Sequence, residues 1–313
     1  MTRRIIIAAV ASVAAISTAF AQSDDFGYEL GIEGETKLTK GLKLEFDGSM
    51  RTQDDAKKID RFTVGAAISK RLYQTADKKF SAKASVGGEW LWTYRLCETA
   101  NRYFEADDDL VDDGFFQVGD LKGWNITDSY WRNRLRANIA LSANYAPDKR
   151  WSFTLKETVQ HAHYYTASPS RIKYRVDEYN SEIRDDGSID WLYSPYIYDD
   201  NTYIDNNNLD PDGNVIGRSL NQDTDRKNRK DRTILRSKLT VSYDIKGFPV
   251  DLFASVDYGC GLNYTANKWK FTAGYDYKLN KMNKVSVYYR YNTEDDDDEQ
   301  NGHLVGLSYK FEF

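Results

Sequence analysis

Charged residues recur at every second position in several segments of this 313-residue chain. Arg132, Arg134 and Arg136 show this spacing, and so do Glu45 and Asp47. Alternate side chains of a β-strand share one face, so each group would project a row of like charges from one side of a strand. Facing rows of opposite sign can orient a charged or dipolar solute through their field. They can equally neutralise each other in salt bridges that fill the space between them.

Two histidines show the same spacing. His161 and His163 would share one face at the end of a strand, a geometry compatible with metal binding. No third ligand is evident in the sequence, and no G-x-S-x-G motif or other set of nucleophile, base and acid accompanies them. We therefore expect no enzyme activity, no metal and no cofactor.

The end of the chain indicates which elements carry these rows. Phe313, Phe311 and Tyr309 fall on one face of a terminal strand, and Glu312 and Lys310 fall on the other. An alternating strand with an apolar outer face and a terminal Phe is typical of bacterial outer-membrane barrels. Ten further segments alternate in this way, and they lie at residues 28–33, 42–50, 62–68, 80–92, 131–145, 151–159, 235–243, 250–258, 269–277 and 285–291.

The connections between these segments are of two kinds. Residues 74–79, 146–150, 245–248 and 279–283 are short, whereas residues 95–127, 165–231 and 293–302 are long and polar. The predicted fold class is therefore all-β: a transmembrane antiparallel up-and-down β-barrel with short periplasmic turns and long extracellular loops. Bacterial single-chain barrels have even strand counts with both ends in the periplasm. We therefore expect twelve strands, with ten as the alternative, although eleven segments are visible.

The beginning of the chain indicates export. Arg3 and Arg4 precede an apolar run and the sequence Ala-Phe-Ala at residues 19–21, which predicts a signal peptide over residues 1–21. Residues 22–313 would form one barrel domain with a long extracellular loop at residues 165–231. No run of about 18 apolar residues follows the signal, so no helical membrane span is expected. The predicted location is the outer membrane of a Gram-negative bacterium.

The amino-acid composition limits the classes of binding partner that we expect. The chain has 23 Tyr but only 5 Pro, and its net charge of −5 comes without an extended basic cluster, which argues against nucleic-acid binding. The mean hydropathy of −0.69 suits a barrel, because only alternate residues face lipid. The expected partners are outer-membrane lipid and lipopolysaccharide, with small solutes in addition. The oligomeric state stays open.

The phase of the apolar residues also predicts which charges face the lumen. The basic side would carry Arg132, Arg134, Arg136, Lys156, Arg236 and Lys238, and the acidic side Glu33, Glu35, Glu45, Asp47 and Glu89. Two further residues, Cys97 and Cys260, would lie just past strand ends at the same rim. An oxidising location permits a disulfide between them, and the alternative is two separate thiols.

Four segments resemble a known family: residues 34–42 (Gly-Glu-Thr-Lys-Leu-Thr-Lys-Gly-Leu), residues 60–62 (Asp-Arg-Phe), residues 131–136 (Trp-Arg-Asn-Arg-Leu-Arg) followed by a Pro-Asp-Lys turn and Trp151, and the terminal strand. They resemble the Gram-negative barrel family known as domain of unknown function 2490 (DUF2490). This resemblance implies an outer-membrane barrel and implies no activity.

Three functions follow as hypotheses. The first is a porin-like channel or uptake protein for small solutes with a charged lumen. The alternative is a closed structural or surface-interaction barrel that binds lipid or partners through its loops. A lipase-like enzyme of the outer membrane is the third.

Overall fold

The computed structural model describes residues 25–106, 117–119, 121–175, 181–183, 189–191, 195–197, 202–205, 220–265, 267–294 and 302–313. All regular structure in these ranges is β. Within them, no helix is long and apolar enough to cross a membrane. The predicted signal peptide lies outside the described residues.

Eleven of the described strands form a closed barrel. Numbered in chain order, they are β1 (Asp25–Thr39), β2 (Leu42–Gln53), β3 (Lys58–Gln74), β4 (Phe80–Arg95), β5 (Tyr130–Tyr145), β6 (Trp151–Tyr164), β7 (Lys230–Asp244), β8 (Val250–Gly261), β9 (Asn267–Lys278), β10 (Asn283–Glu294) and β11 (Gly302–Glu312). Neighbours in sequence are neighbours around the wall, and β1 closes against β11. The predicted all-β barrel is confirmed.

The strand number differs from the expected twelve or ten. β1 and β11 pair in parallel, from Asp25 beside Gly302 to Glu35 beside Glu312, whereas pairs such as β1–β2 and β10–β11 are antiparallel. An even count is required only when the first and last strands run in opposite directions. Parallel closure removes that requirement, so all eleven alternating segments are barrel strands.

Side chains inside the barrel reinforce this parallel seam. Gly306 of β11 leaves room for the Tyr288 ring, because a Cβ there would lie 2.1 Å from the ring. Tyr288 of β10 thereby reaches past β11 and donates a hydrogen bond to Glu29 of β1 at 2.6 Å. Ser308 donates to Glu33 at 3.1 Å. Polar contacts thus supplement the backbone pairing, which is slightly weaker per residue in parallel strands.

Burial in the barrel is the reverse of that in a water-soluble protein. The outward side chains of Val64 and Ile139 are 57% and 65% exposed, while the inward side chains of Arg134 and Ser286 are 3% and 1% exposed. An apolar exterior around a polar interior is the pattern of a barrel surrounded by lipid.

Aromatic pairs lie near both ends of the barrel wall. Trp151 and Tyr243 are partners in register with ring centroids 4.7 Å apart, and Tyr258 and Trp269 form a similar pair at 4.6 Å. The first pair lies at the rim of the short turns and the second near the opposite rim. Two such bands match the aromatic girdles of membrane barrels.

A second unit comprises Arg95–Trp131 and Thr166–Arg229. It contains a six-stranded sheet in the order Pro195–Ile197, Thr202–Asp205, Leu220–Thr224, Ser170–Arg175, Leu121–Thr127 and Glu98–Tyr103, together with a hairpin of Ser181–Ile183 and Ile189–Trp191. Arg171 donates hydrogen bonds to both carboxylate oxygens of Asp223 at 2.8 and 2.7 Å. These bonds lower the pKa of Asp223 to about 2. The two long predicted loops are therefore joined in one sheet.

Candidate functional site

The barrel encloses a cavity of about 660 Å³, which we call the main cavity. Its wall draws on nearly every strand, because the inward face of each strand is polar or small. Eight of the eleven predicted lumen charges lie on this wall: Glu33, Glu35, Glu45, Asp47, Glu89, Lys156, Arg236 and Lys238.

Three carboxylates of the main cavity occupy one level of the wall. Glu33 is paired in register with Asp47, Asp47 with Gly65, and Gly65 with Glu89. A Cβ at Gly65 would lie 2.6 Å from Oδ1 of Asp47 and 3.0 Å from Cγ of Glu89. The glycine therefore leaves the space into which the two neighbouring acidic side chains lean.

Two lysines of the main cavity lie side by side. Lys156 of β6 and Lys238 of β7 are direct partners in register. Within the described part of the chain, neither ammonium group forms a hydrogen bond or an ion pair. Asp47 is likewise without a polar partner among the described residues. Lys156 is within electrostatic range of Glu45, Asp47 and Glu89.

Other charges of the main cavity are paired within the wall. Glu89 accepts hydrogen bonds from Arg136 at 3.4 Å and from Asn138 at 3.0 Å. Glu45 accepts from Ser69 at 2.6 Å and from Lys83 at 3.4 Å. The wall thus combines directly bonded pairs with Lys156, Lys238 and Asp47, whose charged groups form no hydrogen bond or ion pair among the described residues.

A second cavity, of about 40 Å³, lies towards the rim opposite Phe313, and we call it the minor cavity. Among the predicted lumen charges, Arg134, Arg136 and Arg236 line it. The rest of its wall includes three further cations that were not singled out in the sequence: Arg232, Lys268 and Lys270. Their inward positions follow from the same alternation that identified Arg236 on β7.

Gln160, Arg236 and Asp257 line both cavities, and we call these three residues the constriction. Arg236 donates to both carboxylate oxygens of Asp257, and its Nη1 donates to Oε1 of Gln160 at 3.3 Å. Three strands are thereby linked across one point of the wall. Asp257 was not singled out in the sequence, although its phase on β8 places it inward.

The remaining predicted charge, Arg132, lines neither described cavity. Its Nε donates to the backbone carbonyl of Tyr165 at 2.9 Å. Arg132, Arg134, Lys230 and Arg232 all lie within 5.7 Å of the centre of the Tyr164 ring. Cations near an aromatic face are held by its quadrupole, so Tyr164 organises a dense basic cluster.

The two histidines lie on the outward face of the barrel. His161 Nδ1 is 2.9 Å from the Thr233 hydroxyl, and His163 Nδ1 is 2.7 Å from Asp231. Asp231 lies 3.6 Å from His161 Nε2, beyond hydrogen-bond distance. A hydroxyl, an imidazole and a carboxylate are therefore near one another but do not form a connected triad. Among the described residues, no group of three His, Cys, Asp or Glu is arranged to hold a metal.

Cys97 and Cys260 are both free thiols. Of the two alternatives considered for them, the structure has separate thiols. The disulfide is not formed.

Comparisons with known proteins add a likeness in fold. No family model matches the chain, and no curated protein matches it. The chain is similar to solved membrane barrels. One is the translocator domain of the autotransporter NalP from Neisseria meningitidis, with 13% identity, 95% of this chain and 94% of that chain covered, and a TM-score of 0.24. Another is the CymD monoaromatic hydrocarbon channel, with 12% identity, 93% of this chain and 87% of that chain covered, and a TM-score of 0.25. Likeness at this level carries no argument about cargo.

Proposed function

We propose that this protein is a channel for small polar solutes in the outer membrane of a Gram-negative bacterium. The observation that carries the proposal is the main cavity, a hollow and charged interior inside a barrel whose exterior is apolar. An interior filled only for stability would leave few uncompensated charges, because an unpaired charge in a closed space costs free energy. Lys156, Lys238 and Asp47 instead face open space.

The constriction gives the proposed channel a selective step. Gln160, Arg236 and Asp257 lie where the two cavities adjoin, so a solute that moves from one cavity to the other would contact them. Fixed charges and hydrogen-bonding groups at the narrowest point of a pore set which solutes pass. The basic wall of the minor cavity favours anionic groups at this step.

Single-channel recording on the purified full-length protein in planar bilayers tests the channel. We expect discrete current steps that are absent from bilayers without protein. A membrane-inserted barrel that never conducts would instead favour the closed structural barrel, in which ion pairs such as Arg236–Asp257 hold the lumen shut.

The lipid-facing surface has its own test, since the proposal requires the apolar exterior to contact lipid. Ile139→Arg places a charge near the middle of β5 on the outward face, and should destabilise the inserted barrel by about 2–4 kcal/mol. Thr158→Arg places the same side chain on the inward face of β6, at the main cavity, and should be tolerated. Urea unfolding in lipid vesicles compares them. Equal stability of the two variants would contradict a lipid-facing exterior.

The proposal extends to processing, partners and family. It includes removal of residues 1–21 as a signal peptide, contact with lipopolysaccharide and outer-membrane lipid, and membership of the DUF2490 barrel family. Amino-terminal sequencing of the protein purified from outer membranes tests the first of these directly. No catalytic step is proposed, because the Asp231 carboxylate lies beyond hydrogen-bond distance of the His161 ring that contacts the Thr233 hydroxyl.

A further inference from the structure

We infer that the main cavity is a binding site for a small zwitterion, such as an amino acid or a short peptide. The inference rests on the proposed channel and names its class of solute. The anionic end of the solute would lie against Lys156 and Lys238, and its ammonium end against Asp47, Glu33 and Glu89.

The lysine pair provides the first half of the site. Two ammonium groups on directly paired positions of β6 and β7 repel each other, and like charges opposite one another destabilise a sheet. An anionic group placed between them removes this repulsion and accepts hydrogen bonds from both. A carboxylate has two oxygens and can accept from two lysines at once.

The three neighbouring carboxylates provide the second half of the proposed site. Glu33, Asp47 and Glu89 lie at one level of β1, β2 and β4, and Gly65 between the last two leaves the space open. Glu33 is bonded to Ser308 and lies 3.5 Å from Lys310, and Glu89 is bonded to Arg136 and Asn138. Asp47 has no such partner within the described residues. It is therefore the carboxylate left to receive an ammonium group.

The cavity has room for such a solute and disfavours solutes that carry a single charge. Its volume of about 660 Å³ falls in the range of about 300–1,000 Å³ that is usual for small-molecule sites. An anion that binds the lysines is repelled by the carboxylates. A cation that binds the carboxylates is repelled by the lysines. A molecule carrying both charges at opposite ends satisfies both groups and adds no net charge to the lumen.

Three tripeptide derivatives of similar size separate these cases. Triglycine carries both charges, N-acetyltriglycine only the negative one, and triglycinamide only the positive one. Isothermal titration of the detergent-purified full-length protein should give triglycine a Kd at least about tenfold lower than either derivative, since each loses one charge-assisted contact. Equal affinity for triglycine and N-acetyltriglycine would overturn the inference and indicate a simple anion site.

Substitutions in the wall of the main cavity test where triglycine binds. Lys156→Gln and Asp47→Asn should each raise the Kd for triglycine about tenfold, while Lys156→Gln should leave binding of triglycinamide unchanged. Lys83→Gln is the matched control, because Lys83 also faces inward and is bonded to Glu45 but does not line the main cavity. Affinity that falls in the control as much as in Lys156→Gln would contradict the assignment.

The outcomes distinguish this inference from the proposed channel. Selective triglycine binding without conductance would support the site and overturn the channel. Conductance without preference for triglycine would overturn the site and leave the channel intact.

Discussion

The two cavities of the lumen differ in size, charge and packing. The main cavity has a volume of about 660 Å³ and a wall that carries both signs of charge. The minor cavity has about 40 Å³, and its described wall carries six cations and a single carboxylate, Asp257. Both are lined by inward side chains of alternating strands, and they share Gln160, Arg236 and Asp257.

Side-chain length accounts for much of this difference. Around the main cavity, small residues such as Gly31, Ala67 and Gly87 lie between the charged ones. Around the minor cavity, long arginines and lysines and the rings of Tyr164 and Tyr264 form much of the wall. The larger cavity thus has short side chains between its charged groups, and the smaller one is lined mainly by long side chains. The proposed solute site lies in the larger cavity.

The largest expected effect comes from a matched pair of tryptophans on β6. Gln160 lines both cavities, whereas Thr158, two residues earlier on the same face, lines only the main one. Gln160→Trp should abolish conductance, because an indole would occupy the constriction. Thr158→Trp should reduce it less than about twofold, because the main cavity has room for the ring.

Electrophoretic mobility before and after heating shows whether both variants fold, and planar bilayers measure the current. Gln160→Ala serves as a second variant that should raise conductance. If Thr158→Trp blocks as fully as Gln160→Trp, the narrow point does not lie at Gln160.

A smaller effect is expected from removing the ion pair of the constriction. The double variant Arg236→Ala/Asp257→Ala deletes one charge of each sign and should merge the two cavities. Conductance should rise several-fold, with little change in ion selectivity because the net charge is preserved. Arg236→Ala alone removes one positive charge beside Asp257 and should shift selectivity towards cations. Reversal potentials in a salt gradient measure this shift. Unchanged conductance in the double variant would argue against a narrow point at this pair.

The smallest expected effect concerns Gly65, the glycine between Asp47 and Glu89. Gly65→Ala adds a Cβ within 2.6 Å of Oδ1 of Asp47 and displaces that side chain. The displacement should raise the Kd for triglycine about threefold, or about 0.7 kcal/mol, and leave conductance nearly unchanged. Gly88→Ala, whose added Cβ would approach no atom closer than 3.4 Å, controls for the general cost of replacing a strand glycine.

Much of the barrel could be predicted because its signal is local. The period of two follows from backbone geometry, so the outward Leu307 and Tyr309 and the inward Glu33 and Asp47 could be separated without any knowledge of contacts. Asp257 and Lys270 obey the same rule. They could have been found had every inward position been considered rather than the rows of like charge alone.

The features that the sequence does not reveal depend on partners far apart in the chain. The parallel contact of β1 with β11 joins the two ends of the barrel, and no local pattern encodes it. Strands such as Glu98–Tyr103 and Leu220–Thr224 lack clear alternation, and they belong to a different sheet from that of the barrel. The constriction depends on the conformations of Arg236 and Gln160, which spacing does not determine.

Parallel closure also places the two ends of the barrel at opposite rims. β1 and β11 begin at the same rim, where Asp25 lies beside Gly302, and Phe313 lies at the opposite rim. A peptide joined ahead of Asp25 and another joined after Phe313 would therefore be displayed on opposite sides of the membrane. A barrel with an even number of strands presents both on the same side. One molecule of this protein could carry an exterior tag and an interior tag at its two ends.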